Sequence, residues 1–254
     1  MVVGNGTDIH KVLPVYRDDR SCLSTSGPAQ IGQLVCTPTP DFGHPIKIMD
    51  VTRSNQVQHN AVSGTIRNLD PKIDYKEKRN RLPILNLGLG TNAELMAVHS
   101  KMRRCIVLAR SEGIPLDHLP QNERALAHNA FDRTYYLVAP IYSVSTPGER
   151  RAMTPTIAAR AECLVYPHLV YLPKSGGVIT NDSIARLDRS FWSPLAEPTE
   201  LYLAGLSEDR MNHLASQLNV LHGLDVDQEY LDMVALLRGE LAPEFEEGLP
   251  AQPV

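Results

Sequence analysis

Lys101-Met102-Arg103-Arg104-Cys105-Ile106-Val107-Leu108-Ala109 is the stretch on which the reading of this chain turns. Basic side chains step directly into a run of apolar ones. The run is shorter than a helix needs and rich in β-formers, so residues 104–109 read as a short, buried strand. Tyr135-Tyr136-Leu137-Val138-Ala139-Pro140-Ile141 repeats the pattern downstream, and Ser183 to Leu187 follows. Upstream, Ile31-Gly32-Gln33-Leu34-Val35-Cys36-Thr37-Pro38 reads as a strand ended by the turn-prone Pro38-Thr39-Pro40-Asp41-Phe42-Gly43. Ile46 to Val51 alternates as a strand should. Ala161 to Leu172 reads as a strand interrupted by Pro167, which confines it to an edge or a bulge. Residues 144–156 read as a loop.

Helical signals concentrate toward the C-terminus. Ser207 is placed to cap a helix, with Glu208 and Asp209 in its first turn. Met211, Leu214, Leu218 and Leu221 form one apolar stripe, and Gly223 is the natural stop. A second helix is expected from about Asp227 to Arg238. Thr91 or Asn92 is expected to cap a short helix through about Lys101, and Gln121–Asn129 a further one. Short strands followed by a capped helix predict a mainly β, α+β protein: a small β-barrel with helical additions.

Composition narrows the class. The chain has 254 residues, of which 43% are apolar and 21% charged, which suits a folded domain rather than a disordered chain. No apolar run approaches the roughly 20 residues of a membrane span, and the N-terminus lacks the blocks of a signal peptide, so a cytoplasmic protein is expected. Cys22, Cys36, Cys105 and Cys163 form no C-x-x-C pair, so they predict reduced thiols and no metal site. The formal net charge of −4 is uneven: residues 201–254 hold ten acidic and two basic side chains, leaving the rest mildly basic. That balance suits a polyanion binder, and equally a protein with a solvated acidic end. One such end, Pro243-Glu244-Phe245-Glu246-Glu247-Gly248-Leu249-Pro250, could compete in cis for a basic groove.

The order of the pieces carries more than any one of them. Gly32-Gln33-Leu34-Val35 opens a strand, and Arg103-Arg104-Cys105-Ile106-Val107-Leu108 follows. Then come Val138-Ala139-Pro140-Ile141-Tyr142-Ser143 and Tyr166-Pro167-His168-Leu169-Val170-Tyr171-Leu172-Pro173. Asp182-Ser183-Ile184-Ala185-Arg186-Leu187-Asp188 is next, and a helix opening Leu206-Ser207-Glu208 ends near Leu221-His222-Gly223-Leu224. This succession resembles the PemK/MazF family of toxin endoribonucleases over residues 31–42 and 101–224.

The resemblance implies an SH3-like small β-barrel with a C-terminal helix, in a homodimer. It implies metal-independent cleavage of single-stranded RNA, no cofactor, and an antitoxin protein as partner. It divides the chain into an irregular arm (1–30), a barrel domain (31–224) with an insertion (43–100), and a C-terminal helix with an acidic tail (225–254). In the reaction the ribose 2′-OH attacks the neighbouring phosphorus and the 5′-oxygen leaves, so charge builds on the non-bridging oxygens. A guanidinium with paired N–H donors answers that charge. The family's arginine falls on Arg104, with Arg103 taking its place if the register slips by one. The family's catalytic threonine position holds Tyr142, followed by Ser143, and the family proline after the arginine is Cys105. His168, after Tyr166-Pro167, is a candidate RNA contact. So are Lys76, Lys78, Arg79 and Arg81, in a segment between Lys72 and Arg81 with five basic and two acidic residues. Asp188 and Arg189 are expected to form a local ion pair or to be turn residues. Phe191 and Trp192 are expected to pack, with base stacking as the second reading. A toxin ribonuclease is the leading expectation; the alternative is a protein of that fold that has lost cleavage and binds RNA or a protein partner.

Overall fold

The computed structural model describes residues 14–41, 43–53, 57, 62–76, 93–124, 133–145, 153–241 and 248. Of the residues singled out above, Lys78, Arg79, Arg81, Thr91, Asn92, the second half of the helix expected at Gln121–Asn129, and the acidic tail apart from Gly248 lie outside these residues. The chain divides into two compact units: one built from the chain before Pro38 and after Lys101, the other from residues 38–101.

The strands are β1 (Gln33–Asp41), β2 (Lys47–Arg53), β3 (Val62–Asn68), β4 (Leu95–Ala97), β5 (His99–Ser111), β6 (Tyr135–Ser143), β7 (Leu169–Leu172), β8 (Ser183–Arg186), β9 (Phe191–Ser193) and β10 (Glu200–Gly205). Among the described residues the helices with given bounds are α1 (Pro155–Glu162), α2 (Glu208–Leu221) and α3 (Gln228–Gly239), residues 121–124 are also helical, and Leu187–Arg189 is a 3-10 turn. This is an α+β protein whose strands form two sheets. The larger has seven strands in the order β10-β1-β5-β6-β8-β7, with β9 also on β6. Its end strands, β10 and β7, do not pair with each other among the described residues, so the expected closed barrel is not observed.

Cys105, Ile106, Val107 and Leu108 are all buried because both faces of the sheet are covered. On one face Leu34, Ile106, Leu108, Ala139, Ile141, Val170, Leu172 and Ala185 pack with Leu214 of α2, joined by Met211 and Leu218. On the other, Val35, Cys105, Val107, Tyr136 and Val138 meet Phe191 and Leu201, while Leu169, Tyr171 and Ile184 meet Ala158 and Ala161 of α1. Double coverage is why these strands read as continuous apolar runs rather than alternating ones.

Residues 14–30 are irregular in trace, yet Val15 belongs to the core and Tyr16 bridges Leu206. β1 runs on through Pro38 and Pro40 to Asp41, where the sequence predicted a turn. The expected strand 161–172 is instead the end of α1, a turn, and the four-residue β7. Thr154 accepts a hydrogen bond from Ile157 N and Pro155 takes the first helical turn, a start signal that outweighs the apolar run after it. The C-terminal readings match: Ser207 caps α2 by accepting from Arg210 N, and Gly223 ends it at φ +66°. α3 buries Tyr230, Val234 and Leu237 against Ala159, Leu164 and Val165.

The point where these layers meet holds a buried cation. Arg210 is 4% exposed, and its Nη2 donates to the Tyr171 carbonyl at 3.1 Å. Burial pulls its pKa down to about 10, opposed by Tyr230, Tyr16 and Glu162.

In the second unit, β2 lies between β3 and β4 in an antiparallel sheet. Met49 sits opposite Leu95 and Ile48 opposite Met96, so residues 95–97 and 99–101 are strand where the sequence predicted a capped helix. Pairing with β2 supplies the hydrogen bonds that a short isolated helix would have to nucleate unaided. Arg67 binds both Asp50 and Asp74, and its Nη1 donates to Asp74 Oδ2 at 2.8 Å. The Asp74 side chain is fully buried and also accepts from Asp70 N at 2.7 Å.

Two predictions concern these contacts. Arg210→Ala is expected to cost about 3 kcal/mol or more by urea unfolding, because it opens a cavity and strands the groups around the guanidinium, and Arg210→Met is expected to recover part of that. His213 has its pKa lowered, by burial first and then by the Arg210 charge. The unfolded chain therefore binds a proton more readily at this position. Stability is expected to fall as pH drops through about 6.5 toward the depressed folded value, and His213→Gln is expected to remove that part of the pH dependence.

Candidate functional site

The antiparallel register of β5 and β6 sets Cys105 opposite Pro140, Ile106 opposite Ala139 and Val107 opposite Val138. Carried two residues further, it brings Arg103 opposite Tyr142. The contact follows: the Arg103 guanidinium carbon lies 4.6 Å from the centroid of the Tyr142 ring, within cation–π range. Both side chains are half-buried. The ring also packs against the cluster around Ile184 and Tyr171.

Side chains alternate across a strand, so Arg104 and Ser143 point to the face opposite Arg103 and Tyr142. Arg104 shares the face of Ile106 and Leu108, and Ser143 that of Ile141, opposite Ser183 in the register. The four sequence candidates thus lie two on each face, and only Arg103 and Tyr142 are seen in contact. Arg103, the residue of the slipped register, is the one that meets Tyr142.

On the other side of Tyr142 lies β8, with Tyr142 opposite Ile184 and Arg186 two residues on. Arg186 Nε donates to Asp188 Oδ1 at 2.9 Å, and its Nη2 to Asp188 Oδ2. Asp188 and Arg189 are turn residues, one of the two expectations, and the ion pair of Asp188 is with Arg186 rather than Arg189. Both partners lie on the Leu187–Arg189 turn or at its entry, where the chain doubles the pair back within two residues. The bonds to Asp188 raise the pKa of Arg186, with a smaller contribution from Tyr142. Burial pushes the Asp188 carboxyl up, but the Arg186 hydrogen bond and the Arg186 and His168 charges outweigh it, and the net shift is downward.

His168 adjoins Asp188. Its carbonyl accepts from Leu187 N at 2.9 Å, and its ring lies 5.8 Å from that of Tyr166. The Tyr166 hydroxyl in turn accepts from Arg160 Nη1 of α1 at 3.0 Å. Three contacts, Arg103 with Tyr142, Arg186 with Asp188, and His168 with Tyr166 and Arg160, thus lie near one another across β5, β6, β8 and α1, with Tyr142 acting on Arg186 and His168 on Asp188 through charge. Three guanidinium groups and one carboxylate give this surface a positive balance, and three aromatic or imidazole rings are interleaved. Such a surface suits phosphates and unpaired bases.

Arg160, Tyr166 and Arg186 were missed from sequence. Recognising Thr154-Pro155 as a helix start would have placed Arg160 one helical turn further on. Nothing in the sequence marks Arg186 beyond its spacing to Asp188. Lys76 is exposed at the end of the 71–76 turn in the second unit. Phe191 packs as expected, whereas Trp192 is 53% exposed. Cys105 and Cys163 are buried, Cys36 is half-buried and Cys22 is exposed, and none of the four is in a disulfide. Among the described residues, no three His, Cys, Asp or Glu side chains gather as a metal site would require, and no helix is long and apolar enough to cross a membrane.

Compared with protein-family models, curated proteins and solved structures, the chain matches none. The geometry of the site is what carries the functional reading.

The Arg186–Asp188 pair generates a prediction with a defined sign. Asp188 is expected to titrate below 3.8 and to return toward that value in Arg186→Gln, as followed by carboxyl-carbon NMR. The pair's contribution to stability is present above the ordinary carboxylate pKa and is lost as pH falls through the depressed one.

Proposed function

We propose that this chain binds single-stranded RNA on the surface joining Arg103, Tyr142 and Arg186 and cleaves it without a metal ion, as a PemK/MazF-like endoribonuclease. The contact of the Arg103 guanidinium with the Tyr142 ring is the observation that carries the reading. It joins a cation able to bind a phosphate with two donors to a ring able to support a base, at the strand ends where the resemblance implies the reaction occurs.

On this reading the seven-stranded sheet with its Ser207-capped helix is the SH3-like barrel of that family. The cellular role is the toxin of a toxin–antitoxin or defence module, working in the cytoplasm as a homodimer restrained by an antitoxin protein. Chemically, the 2′-OH gives its proton to solvent as its oxygen bonds to the adjacent phosphorus, and the bond from phosphorus to the 5′-oxygen breaks, leaving a 2′,3′-cyclic phosphate. Arg103 donates to the non-bridging oxygens as their charge grows. The Tyr142 hydroxyl is the acid that protonates the leaving oxygen, in place of a smaller hydroxyl. Arg186, held by Asp188, and His168 contact the flanking phosphates.

A second reading, RNA binding without cleavage, is favoured by one feature: the Tyr142 ring fills the position of a threonine hydroxyl and is already engaged by Arg103.

Incubating the purified protein with a long single-stranded RNA in EDTA, and mapping the 5′-OH ends, separates the two. New ends at a recurring short motif support the ribonuclease; binding by fluorescence anisotropy with no new ends supports the second reading; neither result sinks both. In an active enzyme, Arg103→Ala is expected to slow cleavage by about 10²–10³ and Arg104→Ala by much less. The reverse order would return the phosphate role to Arg104.

A further inference from the structure

The Tyr142 ring is held between strands, with Arg103 on the β5 side and the Ile184 cluster beneath it. Packing against Ile184 fixes the ring, whereas Arg103 reaches it across from β5 by a long, flexible side chain. The two contacts therefore differ in kind: one is part of the core and the other is exchangeable. A cation–π contact strengthens an association roughly two- to thirty-fold from exposed to desolvated settings, and stacking of a nucleobase on an aromatic ring roughly 5- to 150-fold. An unpaired base is thus the stronger occupant of the same ring face.

Charge points the same way. A guanidinium displaced from the ring stays tethered beside it, where a base on the ring brings its own phosphate. Arg186 makes no such exchange, because two hydrogen bonds to Asp188 fix it in place, where its remaining Nη1 can meet only a phosphate that comes to it. Arg103 is the cation of this surface whose ring contact can be traded for a phosphate.

We infer that Tyr142 is a base-stacking subsite for one unpaired nucleobase of single-stranded RNA, which Arg103 covers in the free protein and vacates on binding to take the adjoining phosphate. The inference rests on the RNA-binding reading above and adds to it the position of one base and the exchange that admits it. The ring then sets which nucleotide is registered at the strand ends, a specificity role that a threonine at this position could not fill.

The test uses the full chain and a short, 2′-O-methylated single-stranded RNA carrying 2-aminopurine at each position in turn. Anisotropy of an end label reports binding, and 2-aminopurine fluorescence reports stacking. One position is expected to be quenched on binding to the wild type. Tyr142→Phe keeps that quenching because the ring remains. Tyr142→Thr loses it and weakens binding roughly 5- to 150-fold, with circular dichroism showing the fold retained. Arg103→Ala keeps or deepens the quenching, while the slope of log affinity against log salt falls by about 0.7, the share of one phosphate contact on a single strand. Quenching that survives Tyr142→Thr, or that disappears in Arg103→Ala, overturns the subsite while leaving RNA binding in place. Absence of any anisotropy change overturns the RNA reading and the subsite together.

Discussion

β6 is the strand on which the larger unit depends. Along one edge it pairs with β5, and along the other it serves two partners in succession: Phe191–Ser193 against residues 136–138 and Ser183–Ala185 against residues 141–143. The three residues of the Leu187–Arg189 turn drop out of that ladder, so the chain bends where β6 changes partner. Ala139 and Pro140 lie at the change. Proline has no N–H to give to a ladder, and a central strand ordinarily rejects it. Here it stands where the pairing is interrupted on one side, so the missing donor costs least.

That arrangement has two consequences for the surface at the end of the strand. Past Pro140 the chain is clamped between β5 and β8, which places Tyr142 between Arg103 and Arg186. The same bend delivers Asp188 back to Arg186. A different route from β8 to β9 would separate that ion pair and leave Tyr142 with one basic neighbour rather than two. Alternation then makes the strand ends two-sided: a single-residue step along β5 decides whether an arginine meets the phenol or the core side of the sheet.

Burial of Arg210 joins the layers. Its helix starts at the Ser207 cap, its guanidinium reaches the Tyr171 carbonyl of β7, and Tyr16, Glu162 and Tyr230 bring the charge or dipole of the N-terminal segment, α1 and α3 toward it. A buried cation is costly unless its surroundings answer it. Groups from four parts of the chain offset part of that cost, and burial still holds the guanidinium pKa down to about 10.

Local signals were enough for the parts whose structure is local. The Ser207 cap, the apolar stripe through Leu214, the Gly223 stop, the buried run at Cys105–Leu108 and the strand through Tyr135–Ile141 could all be read directly, because each depends on neighbours within a turn or on burial alone. Pairing partners could not. Leu95–Ala97 is a strand because β2 lies beside it, and the apolar stretch after Ala161 is split between helix and strand because α1 packs on β7 and β8. The basic and hydroxyl-bearing residues at 103, 104, 142 and 143 were visible in the sequence as candidates. Which of them meet was decided only by the register of β5 on β6, since a strand's side chains change face at every residue and nothing in the local sequence fixes the offset between two strands that distant parts of the chain bring together.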